Sequence, residues 1–337
     1  MRAFIITAPG EAEVRDVEPP RAGPGQVVVD VERAGVCGTD AEFFSGEMAY
    51  LHTGQARYPM RIGHEWCGVV SAVGEGTERT WIGRRVTGDT MLGCGRCRRC
   101  RSGLQHVCAD RYEIGIRNGW PGALAEQLVV PAFALHRLPD TVDPVLGALV
   151  EPGGNAIRAT AGANLAPGER LLVLGTGTIG LLVALFARAA GVGVVLLGRS
   201  ERSLAFARSL GFQAVGSPDA LPREPYDAVV DASNAAELPA LALELVEPGK
   251  RVVYIGLAGT PSTIDTRTLA LKDVTAVGIL SASPGLAGTI EQFAAGAVDP
   301  RPIVAATVRL EEVADVLAGS RPSGAGAGPK IHVDPRG

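Results

Sequence analysis

The sequence predicts an α/β fold in which a doubly wound parallel sheet follows a β-rich region. Three observations carry this. From about position 168, short apolar runs alternate with helical segments. The run 170–174, RLLVL, is almost wholly apolar, as expected of a strand buried on both faces. Gly175-Thr176-Gly177-Thr178-Ile179-Gly180 comes directly after it, a GxGxxG placed between a strand and the start of a helix.

The elements are expected in this order. Segments 27–31, 67–73 and 124–130 are strand-like and bounded by Gly and Pro. Segment 88–108 is rich in Gly, Arg and Cys, has no hydrophobic period and reads as a loop. A helix over 178–190 follows the glycine motif, and then a second apolar strand over 192–197. A helix over 204–210 is ended by Gly211. Further strands are expected over 228–231, 251–256 and 274–280. After about 285 comes one helix to 296, and then short strand-like pieces. The stretch 323–329, SGAGAGP, reads as a flexible loop, and no internal repeat is present.

The chain has 337 residues, long enough for two domains. It is 46% hydrophobic and 20% charged, with a net charge of -4. That balance argues against disorder, and against a nucleic-acid binder that needs a basic surface. No apolar run approaches the ~18 residues of a membrane-spanning helix. The opening MRAFIITAPGEAEVRD has only a short apolar patch before acidic residues, so no secretory signal and a cytoplasmic protein are expected. The basic residues are nearly all Arg; the lysines are Lys250, Lys272 and Lys330.

The chain has six cysteines, of which Cys94, Cys97, Cys100 and Cys108 fall within fifteen residues. Without an export signal, clustered cysteines read as metal ligands before disulfides. Four thiolates at this spacing can close a tetrahedral zinc site, which leaves no open position and is therefore structural. Four unrelated free cysteines is the bland alternative. A nucleic-acid-binding zinc ribbon using Arg96, Arg98, Arg99 and Arg101 is another, and the acidic balance weighs against it.

A second constellation is dispersed: Cys37 in GVCGTD, His64-Glu65 in GHE and Glu151 in EPG. Thiolate, imidazole and carboxylate suit a catalytic zinc, which needs about three protein ligands and one open position. On spacing alone, a lone Cys or His among apolar residues is more often part of the core.

The glycine motif has a physical reading. Gly175 permits a tight turn, Gly177 lets backbone approach a pyrophosphate, and Gly180 lets helix and strand pack closely. Amides at the helix N-terminus then hold the phosphates. An NAD site usually has Asp or Glu at the end of the second strand. Here Gly198 stands at that place, followed by Arg199 and Ser200. Glycine removes the repulsion a carboxylate would exert on a 2′-phosphate, and leaves room. Arg199 is a bidentate phosphate partner and Ser200 can add a hydrogen bond, so NADP is preferred and NAD is possible. The alternative is that Arg199 is only a solvated charge and Glu201 replaces the acid.

These motifs in this order resemble the zinc-containing medium-chain dehydrogenase/reductase family of alcohol, sorbitol, threonine and glucose dehydrogenases. GVCGTD, GHEWCGVVSAVG, the four-cysteine lobe, the EP after Val150 and GTGTIG carry the resemblance, which covers essentially the whole chain. It implies a GroES-like β-rich catalytic domain over 1–147 and 285–337, around a Rossmann domain over 148–284. It implies Cys37, His64, Glu65 and Glu151 as ligands of a catalytic zinc, Glu65 binding directly or exchanging with water. Asp40 matches the carboxylate that orients the zinc-bound His. Thr39 matches the hydroxyl that takes the substrate proton, and Glu42 stands where alcohol enzymes often have a relay His. The cofactor set is Gly175, Thr176, Gly177, Thr178, Ile179, Gly180, Arg199, Ser200, Leu257 and Leu280. Glu42, Glu151 and Arg199 together look most like the sugar-oxidising, glucose-dehydrogenase-like branch.

Two segments depart from the family pattern, Gly153-Gly154-Asn155 and 48–60, and both are expected near the substrate pocket. The expected function is a zinc-dependent hydride transfer between NADP(H) and a secondary alcohol or ketone of a polyol, sugar, cyclitol or related alcohol. Two zinc ions are expected per chain, one catalytic and one structural, in a homodimer or homotetramer that binds no nucleic acid and no membrane. Alternatives are a reductase of an activated C=C or C=N bond and a non-catalytic zinc-binding interaction protein.

Overall fold

The computed structural model describes residues 1–337. The chain divides into two compact units. Unit 1 comprises Met1–Glu151, Val304–Gly326 and Lys330–Gly337; unit 2 comprises Pro152–Ile303 and Ala327–Pro329.

Unit 1 is β-rich. Its seven-stranded sheet runs Val304–Val308, Lys330–Val333, Gln26–Val36, Glu65–Val73, Arg85–Gly88 and Leu135–Arg137, with Gln127–Pro131 also paired to Gln26–Val36. Gln26–Val36 is central because its valines bury on the core side while its length offers partners at both ends. Residues 34–36 pair antiparallel with 331–333, and residues 26–30 with 127–131. The core holds Phe4, Phe43, Trp66 and Leu128 together with Val308, Leu310, Val313 and Val333. Both ends of the chain therefore build one hydrophobic cluster, the reason unit 1 is discontinuous.

Unit 2 has a six-stranded parallel sheet in the order Gln213–Val215, Gly193–Leu197, Arg170–Leu174, Tyr226–Asp231, Val246–Tyr254 and Thr275–Gly278. By chain order within the unit that is 3-2-1-4-5-6, the doubly wound arrangement whose ligands lie at the carboxyl ends of the strands. Leu171, Leu172, Val173 and Leu174 are all fully buried, which accounts for the continuous apolar run of this strand.

The structure corrects several expectations. The chain leaves unit 2 after Ile303, not at 284/285, and leaves unit 1 after Glu151, not at 147. The amphipathic helix Leu286–Ala294 packs within unit 2 against the helix Val150–Ala163. A Cβ on Gly153 would stand 2.5 Å from Thr289 Cγ2, and one on Gly154 would stand 2.8 Å from the Ala282 carbonyl. The Gly153-Gly154 pair is thus a close helix contact. In the 48–60 segment, Tyr50 Oη donates to Glu113 at 3.3 Å and accepts from Arg111 at 3.3 Å, while Tyr58 bonds the Phe43 carbonyl. The third expected strand is displaced to Gln127–Pro131. The 88–108 segment is not featureless: Met91–Leu92 is a short strand, and helical turns at Arg98–Arg101 and Gln105–Val107 fold around the cysteines.

Candidate functional site

The four-cysteine lobe is built by local turns. Cys97 caps the turn Arg98–Arg101, its sulfur accepting from the Cys100 amide at 3.4 Å. The sulfurs of Cys94, Cys97, Cys100 and Cys108 all lie within 4.8 Å of one another. The contacts are 3.5 Å for Cys97–Cys100, 3.8 Å for Cys97–Cys108 and 4.0 Å for Cys94–Cys100. A tetrahedron with Zn–S near 2.3 Å has edges of about 3.8 Å, so the four thiols fit one zinc ion. Backbone amides of Arg96 and Cys97 lower the Cys94 thiol to about 6, favouring the thiolate a metal needs.

Cys37, His64 and Glu65 form a second group, with ligand atoms within 4.8 Å of one another. Two adjacent strands and a helix start bring them together. Cys37 follows the strand Gln26–Val36 and caps the helix Gly38–Ser45, and Glu65 opens the neighbouring strand Glu65–Val73, paired to Gly35. Asp40 ties this corner together. Its Oδ2 accepts from the Cys37 amide at 2.9 Å, and its Oδ1 lies 3.6 Å from His64 Nδ1. His64 is 5% exposed. Burial pulls the imidazole pKa down, but Asp40 and Cys37 beside it pull harder, and the balance lies above the ordinary value. Thiol, imidazole and carboxylate are donors zinc accepts, and three of them leave a position open, so the group fits a catalytic zinc.

Glu151 stands outside this group, on the buried first turn of the helix Val150–Ala163. Thr39 and Glu42 lie on the helix Gly38–Ser45, three residues apart and therefore neighbours on its surface. Partial desolvation and then Glu47 raise the Glu42 pKa. Cys67, the sixth cysteine, is fully buried and donates to the Pro144 carbonyl at 3.2 Å; burial pushes its thiol well up, so it is a core residue.

One decisive partner escapes sequence reading. Lys330, 3% exposed, donates to Glu65 Oε2 at 2.7 Å, Glu65 Oε1 at 2.8 Å and the Val36 carbonyl at 2.9 Å. Burial lowers its pKa, and the Glu65 and Cys37 charges outweigh that, leaving it raised. Gly35 makes the pair possible, because a Cβ there would stand 2.0 Å from Glu65 Oε2. The available signal was a rare lysine inside the strand KIHV, every residue of which is buried.

In unit 2, Gly175 has φ +115°, and a Cβ on Gly180 would meet the Gly175 carbonyl at 2.0 Å, so the strand-turn-helix needs both glycines. Gly177 caps the helix Thr178–Ala189, with Thr178 and Ile179 in its first turn. Leu257 and Leu280 lie just beyond the strands Val246–Tyr254 and Thr275–Gly278, 78% and 40% exposed, apolar surface at the carboxyl edge of the sheet. Arg199 is exposed and pairs with no carboxylate. Glu201 pairs with Arg208 at 2.7 Å on the helix surface. Ser200 caps the helix Glu201–Ser209, its hydroxyl accepting from the Ser203 amide at 3.2 Å. Position 198 is not roomy, contrary to expectation: a Cβ there would stand 2.5 Å from Thr176 Oγ1.

Residues 23–140 match the alcohol dehydrogenase GroES-like domain, and residues 178–297 match the zinc-binding dehydrogenase domain. An L-threonine 3-dehydrogenase from Saccharopolyspora erythraea is 34% identical over 291 residues, 83% of each chain. The chain belongs to the zinc-dependent alcohol dehydrogenase family. This dehydrogenase is also 31% identical over 276 residues to an L-threonine 3-dehydrogenase from Deinococcus deserti, covering 78% of this chain and 79% of the other. Among solved structures, a zinc-binding dehydrogenase from Sinorhizobium meliloti 1021 bound to NADP has a TM-score of 0.89 at 28% identity, covering 99% of both chains. An alcohol dehydrogenase from E. coli CFT073 complexed with NADH has a TM-score of 0.90 at 25% identity, again over 99% of both chains. The dehydrogenase is an oxidoreductase of a small-molecule alcohol with zinc and a nicotinamide cofactor. No helix is long and apolar enough to cross a membrane.

Proposed function

We propose that the enzyme is an NADP-preferring dehydrogenase of a secondary hydroxyl on a polyol, sugar, cyclitol or related alcohol, with one catalytic and one structural zinc per chain. The observation that carries it is the Cys37/His64/Glu65 group with Asp40 behind it. Cys37 and His64 hold the catalytic zinc, with Glu65 or Glu151 as the carboxylate; Cys94, Cys97, Cys100 and Cys108 hold the structural one. When bound, zinc supplies a Lewis acid to the substrate oxygen and the nicotinamide accepts hydride. Asp40 fixes the orientation of the His64 ring. Thr39 takes the substrate proton at its hydroxyl oxygen, and Glu42, its carboxyl raised by desolvation, receives it toward solvent. Glycines 175, 177 and 180 and the helix start hold the pyrophosphate, Leu257 and Leu280 flank the cofactor, and Arg199 holds the 2′-phosphate, while the Ser200 hydroxyl, donating to Ser203 Oγ at 2.9 Å, serves the helix cap beside it.

A second reading, L-threonine as the substrate, is favoured by the identity to relatives bearing that name. The test is cofactor reduction followed by absorbance with a panel of polyols, sugars, cyclitols and L-threonine, each with NADP and with NAD. Turnover of a polyol with NADP, lost on chelation and in Cys37→Ala, is expected. Turnover of L-threonine alone transfers the assignment to the second reading, and undiminished turnover in Cys37→Ala removes the zinc assignment.

A further inference from the structure

We propose that Thr176 is a specificity-determining residue, which keeps position 198 glycine and thereby bars the carboxylate that a 2′-hydroxyl site places there. The inference rests on the NADP reading above.

Gly198 directly follows the strand Gly193–Leu197, and its amide donates to the Val215 carbonyl at 3.0 Å. That bond ties the main chain at 198 to the neighbouring strand. A Cβ at 198 would stand 2.5 Å from Thr176 Oγ1, 2.7 Å from Thr176 Cγ2 and 3.0 Å from Leu204 Cδ2. Both branches of the threonine face the same point. A β-branched side chain has heavy atoms in two of its three staggered positions. Turning χ1 by one step moves the hydrogen into one of the two blocking positions and leaves a heavy atom in the other. No rotamer of threonine therefore clears space at 198, whereas alanine at 176 removes both branches and leaves the Leu204 methyl at 3.0 Å, the end of a flexible side chain.

Thr176 is also held where it is. It is 7% exposed, and its hydroxyl donates to Ser203 Oγ at 2.8 Å. Ser203 Oγ in turn donates to the Ser200 carbonyl at 2.9 Å and accepts from Ser200 Oγ at 2.9 Å. This chain of hydroxyls joins the glycine-rich turn to the cap of the next helix, beside Arg199. Rotating Thr176 breaks it. The residue between the first two glycines of the motif thus has a second task, deciding what side chain the end of the next strand accepts.

The test has a cofactor-free arm and a cofactor arm. In the first, thermal unfolding is compared for wild type, Gly198→Ala, Thr176→Ala and the double variant. Gly198→Ala is expected to lower the Tm in the wild-type background and to do so far less beside Thr176→Ala; additive shifts overturn the proposal. In the second, NADPH and NADH affinities are read by fluorescence for Gly198→Asp and for Gly198→Asp with Thr176→Ala. The single variant is expected to weaken both cofactors. The double variant is expected to bind NADH at least tenfold more tightly than the single one, and equal NADH affinities overturn the proposal. A wild type that binds NADH more tightly than NADPH removes the NADP reading instead. The alanine cycle, which involves no cofactor, then still decides whether Thr176 bars a side chain at 198.

Discussion

Replacing Lys330 by methionine removes the one cation that neutralises Glu65 while keeping much of the side-chain volume. All three ammonium protons of Lys330 are used, two on Glu65 and one on the Val36 carbonyl. Glu65 is 1% exposed, so the variant strands a carboxylate that water cannot reach. Breaking a buried pair on one side costs about 3–5 kcal/mol, more than an ordinary lost hydrogen bond, because the remaining charge stays desolvated. For a body of this size 1 kcal/mol moves the Tm by about 2–4 °C, so a drop of about 6–20 °C is expected. The assay is thermal unfolding of metal-stripped protein at pH 8. Lys330→Met with Glu65→Gln is expected to recover most of the loss, since a neutral amide costs far less to bury than an unpaired charge. A shift of less than about 2 °C in the single variant, or a double variant as unstable as the single, refutes the reasoning.

On the proposed structural zinc, Cys97→Ala is expected to lose one equivalent of zinc and to lower the Tm, since the ion would hold the lobe in place of a hydrophobic core; metal analysis beside thermal unfolding checks this. Arg199→Ala is expected to weaken NADP binding by about ten- to a hundredfold, from a charge-assisted bond of about 1.5–3 kcal/mol, with NAD changed little. Equal losses for both cofactors in titration calorimetry would count against a phosphate contact. His332 is fully buried with neither ring nitrogen bonded, and burial pushes its pKa down to about 3, aided by Lys330 and Arg33. The unfolded imidazole takes a proton below about pH 6.5 that the folded one refuses, so this group costs no stability above that pH. Stability then falls on acidification toward pH 3, by up to about 1.4 kcal/mol per pH unit. Denaturation of wild type and His332→Leu at pH 7 and pH 5 checks the sign: the variant should lose less between the two.

What could be read from the sequence is what short spacing encodes. Four thiols within fifteen residues can meet around one ion whatever the rest of the chain does, and the sulfur separations match that expectation. A glycine motif between an apolar strand and a helix start prescribes its own turn, and Gly175 and Gly180 behave as that turn requires. Cys37 and Asp40 share one helix start, so their bond was equally local.

Tertiary structure decided the rest. Glu65 and Lys330 are 265 residues apart in sequence, and only the pairing of the strands Lys330–Val333 and Gln26–Val36 brings them together. The amphipathic pattern of 286–294 states that the helix must bury one face, but the glycines at 153 and 154 select the surface that receives it, and so move the unit boundary to Ile303. Gly198 reads in sequence as empty space, whereas in the fold Thr176 fills it. Local spacing sets which groups can meet within a turn or a strand; whether a distant side chain neutralises a charge or occupies a gap depends on close packing between segments, which no single segment contains.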